Sequence, residues 1–165
     1  TNGVVLNNSG ANNQSQLGGW VAGNPMLGNN HARTILNQVT GSTGSALNGY
    51  IEASGNKANV VIANPNGITC EGCGFINIPN ATLTTGQVQL GTNAAGQGGS
   101  ITGVNVTQGV VIVNGKGIDA SGVNQLDILS RSAQINANVW AGNNNPATNG
   151  GKPVAVKMVL PVRFM

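Results

Sequence analysis

The sequence predicts an all-β protein, and within that class a parallel β-helix, in which short strands stack in successive turns of one coil. Apolar and polar residues alternate over short runs, as in Val104-Asn105-Val106, and this period of two is typical of strands. Glycine, at 26 of 165 residues, and equally frequent asparagine interrupt the runs and tolerate the positive φ of tight corners. Aromatic residues make up only 3% of the chain, so small aliphatic side chains must build a narrow stacked core. A β-sandwich of short strands is the alternative.

An internal repeat supports a coil built from similar units. The segment Val60–Ile68 aligns without gaps on Val110–Ile118, and six of the nine positions are identical. Repetition of a strand followed by a turn is typical of solenoids, which bury an apolar stripe only by stacking neighbouring turns. We expect both segments to end a strand at the same corner of the coil.

Four segments depart from the regular pattern. His31–Val39 has apolar residues at helical spacing, and both a helical turn and an extended strand are compatible with it. Residues 7–18 and 143–152 are rich in polar residues and are predicted to form loops. Pro153–Met165 contains an alternating strand, which we expect either to cap the stack or to pair in an antiparallel manner.

Charge is scarce and scattered. Only 7% of residues are charged, against roughly 25% in ordinary domains, so amides, hydroxyls and backbone must keep the surface soluble. The net charge is +3, and the basic residues form no cluster that could follow a phosphate backbone, so nucleic acid is not an expected partner. No apolar run approaches the roughly 20 residues of a membrane span, so no membrane insertion is expected.

Two Asn-Pro turns are the strongest local signals. Asn64-Pro65-Asn66-Gly67 follows a β-branched run, and Asn24-Pro25-Met26-Leu27 follows a shorter strand-like segment. Proline fixes φ near −65°, while asparagine and glycine accept left-handed conformations and asparagine side chains bond to nearby backbone groups. Both segments are therefore predicted to be tight corners.

The pair Cys70 and Cys73 could be structural, redox-active or metal-binding. A redox-active pair should open a helix in a βαβ unit, but glycines and strand residues surround this one. Zinc usually needs four ligands, and the chain offers only His31 and a few carboxylates besides the two thiols. The pattern favours a local disulfide, with a reactive thiol pair and a metal site as alternatives. Closing so short a loop should add little stability.

Catalytic machinery is nearly absent from the sequence. General acid/base chemistry needs at least a positioned pair of titrating groups, and polysaccharide-cleaving β-helices generally bring several together. The chain has one histidine, His31, and four carboxylates, which are Glu52, Glu71, Asp119 and Asp127. We therefore predict that the chain is not an enzyme and that it has no catalytic residues, cofactor or metal.

One pair of opposite charges is close in sequence. Asp127 and Arg131 are four residues apart with apolar residues between them, so a bend could bring them into a structural pair. The alternative is two solvated charges at a strand edge, which would contribute little to stability.

Taken together, the ordered motifs resemble the secretion domain of two-partner secretion exoproteins. This group includes filamentous-haemagglutinin-like adhesins, secreted haemolysins and contact-dependent inhibition proteins of Gram-negative bacteria. The resemblance covers most of the chain, and a pair similar to Cys70 and Cys73 occurs in a subset of the family. The motifs that carry it are Val4–Ser9, Gln16–Pro25, Ile35–Thr40, Asn64–Ile68, Gly74–Asn77, Thr82–Gly86 and Asp127–Arg131.

The resemblance implies a fold, a function and a partner. The fold would be a right-handed parallel β-helix with an N-terminal cap and extra-helical β elements. Residues 1–165 would form one secretion domain, an N-terminal fragment of a much larger exoprotein. The POTRA domains of a cognate outer-membrane transporter would recognise this monomeric domain in the periplasm. The exoprotein would then be exported to the cell surface or the extracellular space, where the domain would template β-helix folding.

Position by position, Asn64, Pro65, Asn66 and Gly67 match the family's Asn-Pro-Asn-Gly motif. Asn24, Pro25 and Leu27 match its Asn-Pro-Asn-Leu motif, which makes both turns candidates for transporter recognition. Met26 replaces the second asparagine of the latter motif. This departure puts a side-chain hydrogen bond at position 26 in question, while the corner itself is expected to form.

Two functions from other classes remain alternatives to a secretion domain. The first is an autonomous adhesive β-solenoid that binds glycans or host surfaces, which predicts aromatic side chains on an exposed face. The second is a polysaccharide-acting β-helix enzyme, against which the small number of carboxylates argues.

Overall fold

The computed structural model describes residues 3–92, 98–141 and 155–160. Within these residues the chain forms β-strands and turns and no helix. In chain order the strands are β1 (Val4–Asn8), β2 (Asn13–Ser15), β3 (Gly19–Val21), β4 (Thr34–Gln38), β5 (Ser45–Leu47), β6 (Tyr50–Gly55), β7 (Asn59–Ala63), β8 (Ile68–Cys70), β9 (Cys73–Ile76), β10 (Asn80–Thr84), β11 (Gln87–Thr92), β12 (Gly98–Asn105), β13 (Val110–Val113), β14 (Ile118–Asp119), β15 (Gln125–Leu129), β16 (Ser132–Ile135), β17 (Val139–Trp140) and β18 (Ala155–Val159).

Three parallel sheets form the faces of a coil. Sheet 1 has the order β1-β6-β9-β14-β17, sheet 2 has the order β18-β15-β10-β7-β4, and sheet 3 has the order β16-β13-β8-β5. The chain runs from sheet 2 to sheet 3 to sheet 1, as in β4, β5 and β6, and then returns to sheet 2 one strand further along. The prediction of an all-β parallel β-helix is confirmed.

Two antiparallel hairpins lie outside the parallel sheets. One joins β2 to β3, and the other joins β11 to β12 and is inserted between β10 and β13. They correspond to the extra-helical β elements that the resemblance implies. The prediction that residues 7–18 form a loop is therefore wrong in part, because β1 continues to Asn8 and β2 spans Asn13–Ser15. The residues of these strands that fall within 7–18 are all polar and include asparagine, which has low β-propensity, so no apolar–polar alternation marked them.

The two ambiguous segments both extend sheet 2. Thr34–Gln38 within His31–Val39 is strand β4, whose residue Ile35 packs against the core. Strand β18 pairs with β15 in parallel, so the last segment lengthens the stack and the antiparallel alternative is wrong. Residues 143–152, together with 153–154 and 161–165, lie outside the described residues.

The core consists of aliphatic side chains in register from turn to turn. In sheet 2, Ile62 of β7 aligns with Leu83 of β10, which aligns with Ile128 of β15. These three side chains are at most 5% exposed. Full burial of one such side chain contributes about 1.5–3 kcal/mol to folding. Burial of aliphatic side chains between neighbouring turns is therefore the main source of the stability of the fold.

The internal repeat occupies two different corners of the coil. Its first copy contains β7 of sheet 2, whereas its second copy contains β13 of sheet 3. The expectation that both copies end at the same corner is therefore wrong. The local geometry is nevertheless shared, since Gly67 N–H donates to Asn64 O (3.0 Å) and Gly117 N–H donates to Asn114 O (2.9 Å). Similar residues specify a similar turn but do not specify which corner it forms.

Candidate functional site

The Asn64–Gly67 corner connects sheet 2 to sheet 3. The Oδ1 atom of Asn64 accepts a hydrogen bond from the backbone N–H of Asn66 (2.9 Å), and its carbonyl accepts one from Gly67 N–H (3.0 Å). Gly67 has φ of 112°, a conformation that side chains rarely adopt. Pro65 fixes the first turn dihedral, so each residue of the motif has a defined role in the geometry.

Asn64 also ties three turns of the coil together. Its side-chain Nδ2 donates to Thr43 O (2.9 Å) and to Ser45 Oγ (2.8 Å) in the preceding turn. Its backbone N–H donates to Thr84 O (2.9 Å) in the following turn. The residue is 0% exposed. A partner protein therefore cannot contact the Asn64 side chain in the folded domain.

The other half of the corner faces the surface. Asn66 is exposed, and its side chain donates to Gly41 O (2.8 Å) and to Asn64 Oδ1 (3.1 Å). The carbonyl of half-buried Pro65 accepts a hydrogen bond from the Gln108 side chain (3.2 Å). The motif is thus divided between one buried residue that holds the coil and one exposed residue that closes the turn from outside.

The Asn24–Leu27 corner repeats the same local bonds on the N-terminal segment. The Oδ1 atom of Asn24 accepts from Met26 N–H (3.0 Å), and its carbonyl accepts from Leu27 N–H (3.1 Å). The backbone N–H of Asn24 donates to Ser9 O (2.8 Å). Met26 is 91% exposed, and only its backbone takes part in the turn. The corner therefore forms without the second asparagine of the family motif.

Cys70 and Cys73 form a disulfide between the end of β8 and the start of β9. Both residues are buried, with Cα atoms 5.5 Å apart. Gly72 lies between them with φ of 92°, and its N–H donates to Gly117 O (3.0 Å) in the next turn. The disulfide stabilises one corner of the coil and closes a loop too short to constrain the rest of the chain.

Asp127 and Arg131 do not form the pair that their spacing suggested. The Asp127 carboxylate accepts two hydrogen bonds from the Gln125 side chain (2.8 and 2.9 Å) on the same strand. The backbone N–H of Arg131 donates to Thr85 Oγ1 (3.3 Å). In the described part of the chain no ion pair joins the two side chains. Asp127 projects outward from strand β15, and the chain turns at buried Ser130 before it reaches Arg131.

Glu52 has a structural role that sequence reasoning missed. It is 3% exposed, and its carboxylate accepts hydrogen bonds from Ser15 Oγ (2.7 Å), Gln16 N–H (2.9 Å) and Leu17 N–H (2.9 Å). It therefore fastens the turn of the N-terminal hairpin to β6 of sheet 1. The donors lie 35 to 37 residues away in sequence, so no local pattern could have revealed this contact.

Tyr50 and Asp119 form a polar contact on the outer face of sheet 1. The Tyr50 hydroxyl donates to Asp119 (2.6 Å) across Gly74, where an added Cβ would collide with the tyrosine ring. This hydrogen bond, together with burial and the Asp119 charge, raises the pKa of Tyr50 to about 12. Burial alone would raise the pKa of Asp119, but hydrogen bonds from Ser121 and Tyr50 outweigh it and lower that pKa below its ordinary value.

Three of the four carboxylates are engaged by hydrogen bonds within the protein. Glu52 and Asp119 are engaged by the hydrogen bonds described above, and Asp127 is engaged by Gln125. The described residues contain no group of three or more histidine, cysteine or acidic side chains that could hold a metal ion. Among the same residues, no helix is long and apolar enough to cross a membrane.

A family model described as the TPS secretion domain matches residues 1–156 of the chain. The chain belongs to this family. The domain is thus part of a two-partner secretion system. The family resemblance inferred from the sequence motifs is confirmed. As a TPS secretion domain, the chain has an export-related role and is not catalytic.

Comparisons with individual proteins agree with this assignment. The domain is 51% identical over 146 residues to "Toxin CdiA" of Yersinia pestis, covering 88% of this chain and 4% of the relative. It is 44% identical over 141 residues to "tRNA nuclease CdiA" of Escherichia coli O6:K15:H31, covering 84% of this chain and 4% of the relative. The chain therefore spans a small fraction of the curated relatives it matches, and the nuclease activity in that name is a property of the relative.

The domain is also similar to a solved structure, described as the filamentous hemagglutinin secretion domain. The TM-score is 0.74 at 33% identity, and the match covers 94% of this chain and 48% of that chain. TPS secretion domains of this kind act with an outer-membrane transporter, which exports their proteins to the cell surface of Gram-negative bacteria.

Proposed function

We propose that this TPS secretion domain is recognised in its unfolded form by the POTRA domains of its cognate transporter, and that it templates the β-helix after export. The proposal includes the remaining untested points of the motif-based interpretation. Residues 1–165 form a single monomeric domain at the N-terminal end of a larger exoprotein. The Asn-Pro segments at Asn24–Leu27 and Asn64–Gly67 contribute to transporter recognition.

The burial of Asn64 is the observation that carries the proposal. A partner that reads the whole Asn-Pro-Asn-Gly motif cannot reach Asn64 in the folded coil, because the residue is 0% exposed. Recognition before folding removes this obstacle. An extended, β-prone segment can add as a strand to the edge of a POTRA sheet, with backbone bonds giving affinity and side-chain pockets giving specificity.

The end of sheet 2 supports the templating part of the proposal. Strand β18 pairs with β15 on one side and is the last strand of its sheet among the described residues. Its apolar residues Val156, Met158 and Val159 are 40–52% exposed. An unpaired strand edge with apolar side chains readily takes up another strand. A following segment of exoprotein would add its next turn here and cover these side chains.

Transporter-dependent secretion of the domain is the direct test. Secretion of wild type, Asn66→Ala and Lys116→Ala is measured in cells with and without the cognate transporter. Lys116 is the matched control, because it occupies the position equivalent to Asn66 in the repeated segment and is also exposed. Reduced secretion of Asn66→Ala alone supports motif recognition, and equal extracellular levels with and without transporter contradict the proposal.

A folding measurement separates recognition from stability. The purified variants are unfolded in urea, and the free energy of unfolding is compared with that of wild type. If Asn66→Ala impairs secretion while its stability stays near wild type, the motif is read directly. If secretion only follows stability across the variants, the motif acts through folding and the recognition proposal fails.

Salt dependence tests the strand-addition mechanism. The chain carries few charges and a net charge of +3, so screening should change POTRA affinity only weakly. Titrations of the unfolded domain with the isolated POTRA domains at low and physiological salt measure this directly. A collapse of affinity at modest salt would show that charge, and not strand addition, provides the binding energy.

A further inference from the structure

A cleft with a volume of about 550 Å³ lies between the N-terminal hairpin and the coil. One wall is the β2 side of the hairpin, with Gln14 and Gln16, and the opposite rim carries Lys57 and Asn124. This volume falls within the range of small-ligand sites, which is roughly 300–1,000 Å³. The cleft is separate from both Asn-Pro corners, since none of their residues lines it.

The polar side chains of the cleft fall into two groups. Asn77 donates to the carbonyls of Ala53 (2.7 Å) and Gly55 (3.2 Å), so its amide maintains the coil. By contrast, the exposed amides of Gln14, Gln16 and Asn124 make no side-chain hydrogen bond within the described residues. These three amide groups each have donors and an acceptor free for a ligand. A ligand with many hydroxyl groups, which both donate and accept hydrogen bonds, would be complementary to them.

The floor of the cleft is apolar. Half-buried Ile76 and Pro79 lie beneath the polar rim, and Ile76 is aligned with Glu52 on the outward side of sheet 1. An apolar floor with a polar rim suits a sugar ring, whose C–H face packs on apolar atoms while its edges form hydrogen bonds.

The charges of the cleft favour an acidic ligand. Its one carboxylate, Glu52, is already held by Ser15 Oγ and the N–H groups of Gln16 and Leu17. Lys57 is exposed at the rim and forms no ion pair in the described part of the chain. An ammonium group without a partner beside three available amides is complementary to a sugar that carries a carboxylate.

We propose that this cleft binds a short acidic oligosaccharide in the folded, exported domain. Gln14, Gln16 and Asn124 bind sugar hydroxyls, Lys57 binds a sugar carboxylate, and Ile76 and Pro79 lie beneath the ring. The inference does not depend on how the transporter recognises the domain, because it concerns the folded state. It gives the domain a surface-binding role in addition to its role in export.

Binding of a defined acidic trisaccharide tests the proposal. Trigalacturonate and its fully methyl-esterified form, which is neutral and has the same ring configuration, are titrated into the purified, folded domain, with affinity measured by NMR chemical-shift perturbation. We expect trigalacturonate to bind about tenfold more tightly, the typical effect of a hydrogen bond between charged groups. The perturbed amides should lie on β2 and near Lys57 and Asn124.

Matched variants decide whether the cleft is the site. Lys57→Ala and Gln16→Ala should each weaken trigalacturonate binding, whereas Lys116→Ala and Gln134→Ala, at exposed positions elsewhere on the coil, should not. All four side chains are exposed, and unfolding in urea checks that each variant is folded. The absence of saturable binding at millimolar sugar overturns the proposal. Equal effects of Lys57→Ala and Lys116→Ala also overturn it.

Discussion

The two Asn-Pro corners have the same hydrogen bonds within the turn but very different surroundings. At both corners, the asparagine Oδ1 accepts from the N–H two residues on and its carbonyl accepts from the N–H three residues on. Asn64 is then fully buried between turns of the coil, and its amide donates two further bonds. Asn24 is half-buried beside the extra-helical N-terminal hairpin, and its turn exposes Met26.

This difference shows that one sequence motif can serve two structural purposes. The Asn64–Gly67 corner, called the first corner below, connects stacked turns of the coil. The corner and the neighbouring turns therefore stabilise each other. The Asn24–Leu27 corner, called the second corner below, belongs to the N-terminal segment, which Glu52 and Asn8 attach to the coil by hydrogen bonds. The Asn8 side chain donates to the carbonyls of Ala32 (2.9 Å) and Asn56 (3.1 Å). Stability should therefore respond strongly to changes at the first corner and weakly to changes at the second.

Matched alanine substitutions of the two asparagines should give the largest difference. Asn64→Ala removes four side-chain bonds at a buried site, two with Asn66 and one each with Thr43 and Ser45. We expect it to lower the free energy of unfolding by about 4 kcal/mol, at about 1 kcal/mol per bond. Asn24→Ala removes one side-chain bond at a half-buried site and should lower it by about 1 kcal/mol. Urea unfolding of both variants measures the difference, and equal values would contradict the distinction.

Substitution of Glu52 should destabilise the N-terminal segment with the Asn24–Leu27 corner while leaving the Asn64–Gly67 corner intact. Glu52→Gln replaces one carboxylate oxygen with an NH₂ group. In either orientation of the amide this group faces a backbone N–H, that of Gln16 or that of Leu17, so a part-buried donor loses its acceptor. We expect a loss of about 2 kcal/mol, since an unsatisfied buried group costs about 1–3 kcal/mol.

Hydrogen exchange of the Glu52→Gln variant tests where the loss occurs. Amides of residues 15–17 and of the Asn24–Leu27 corner should exchange faster than in wild type, whereas those of Asn64 and Gly67 should not. Glu71→Gln is the control, because Glu71 is exposed and its carboxylate makes no hydrogen bond within the described residues. Faster exchange throughout the coil would show that the two regions are not separable.

Glycines at the two corners provide a smaller contrast. Gly67 has φ of 112°, and an added Cβ would lie 3.1 Å from Val110 O, so Gly67→Ala combines backbone strain with crowding. Gly28, just after the second corner, has φ of 55° with open space around it. We expect losses of about 2 kcal/mol for Gly67→Ala and about 1 kcal/mol for Gly28→Ala. Thermal unfolding of the pair measures this, and the opposite order would contradict the interpretation.

Changes of pH should affect the coil but not the bonds of either corner, because asparagine does not titrate. The lowered pKa of Asp119 adds stability that is present above its ordinary value of 3.8 and is lost as pH falls through the lower pKa of the folded state. The pKa of Tyr50, raised from 10.0 to about 12, adds stability that is present below pH 10 and is lost as pH rises towards 12.

The pH effect should be small, because Tyr50 is at the surface and Asp119 is only half-buried, so solvent screens their contact. Urea unfolding of wild type and Tyr50→Phe across acidic and alkaline pH measures it. The substitution should remove the loss of unfolding free energy at alkaline pH that is assigned to Tyr50. It should also reduce the loss of unfolding free energy at acidic pH that is assigned to Asp119. An unchanged pH profile would show that this hydrogen bond does not contribute to stability.

The fold and the corners were predictable because their signals are local. Alternation, glycine and asparagine content, and the residues of Asn64–Gly67 all act within a few positions, and the structure contains the strands and turns that they predict. Contacts between distant segments were not predictable. Glu52, for example, is joined to residues 35 to 37 positions earlier. Short spacing alone did not identify partners either, since Asp127 bonds to Gln125, two residues away, instead of Arg131. The expectation that both copies of the repeat end at the same corner failed because the place of a turn in the coil depends on contacts between distant segments.

Restoring the family asparagine at position 26 should have the smallest effect on stability. Only the backbone N–H of Met26 takes part in the corner, and the side chain is 91% exposed, so Met26→Asn should change the free energy of unfolding by less than about 0.5 kcal/mol. If transporters read this motif in the unfolded chain, secretion should increase even though stability does not. Met26→Gln is the control, since it adds a polar side chain without restoring the motif. Equal secretion of both variants would mean that position 26 is not read, and that the first corner alone carries the recognition.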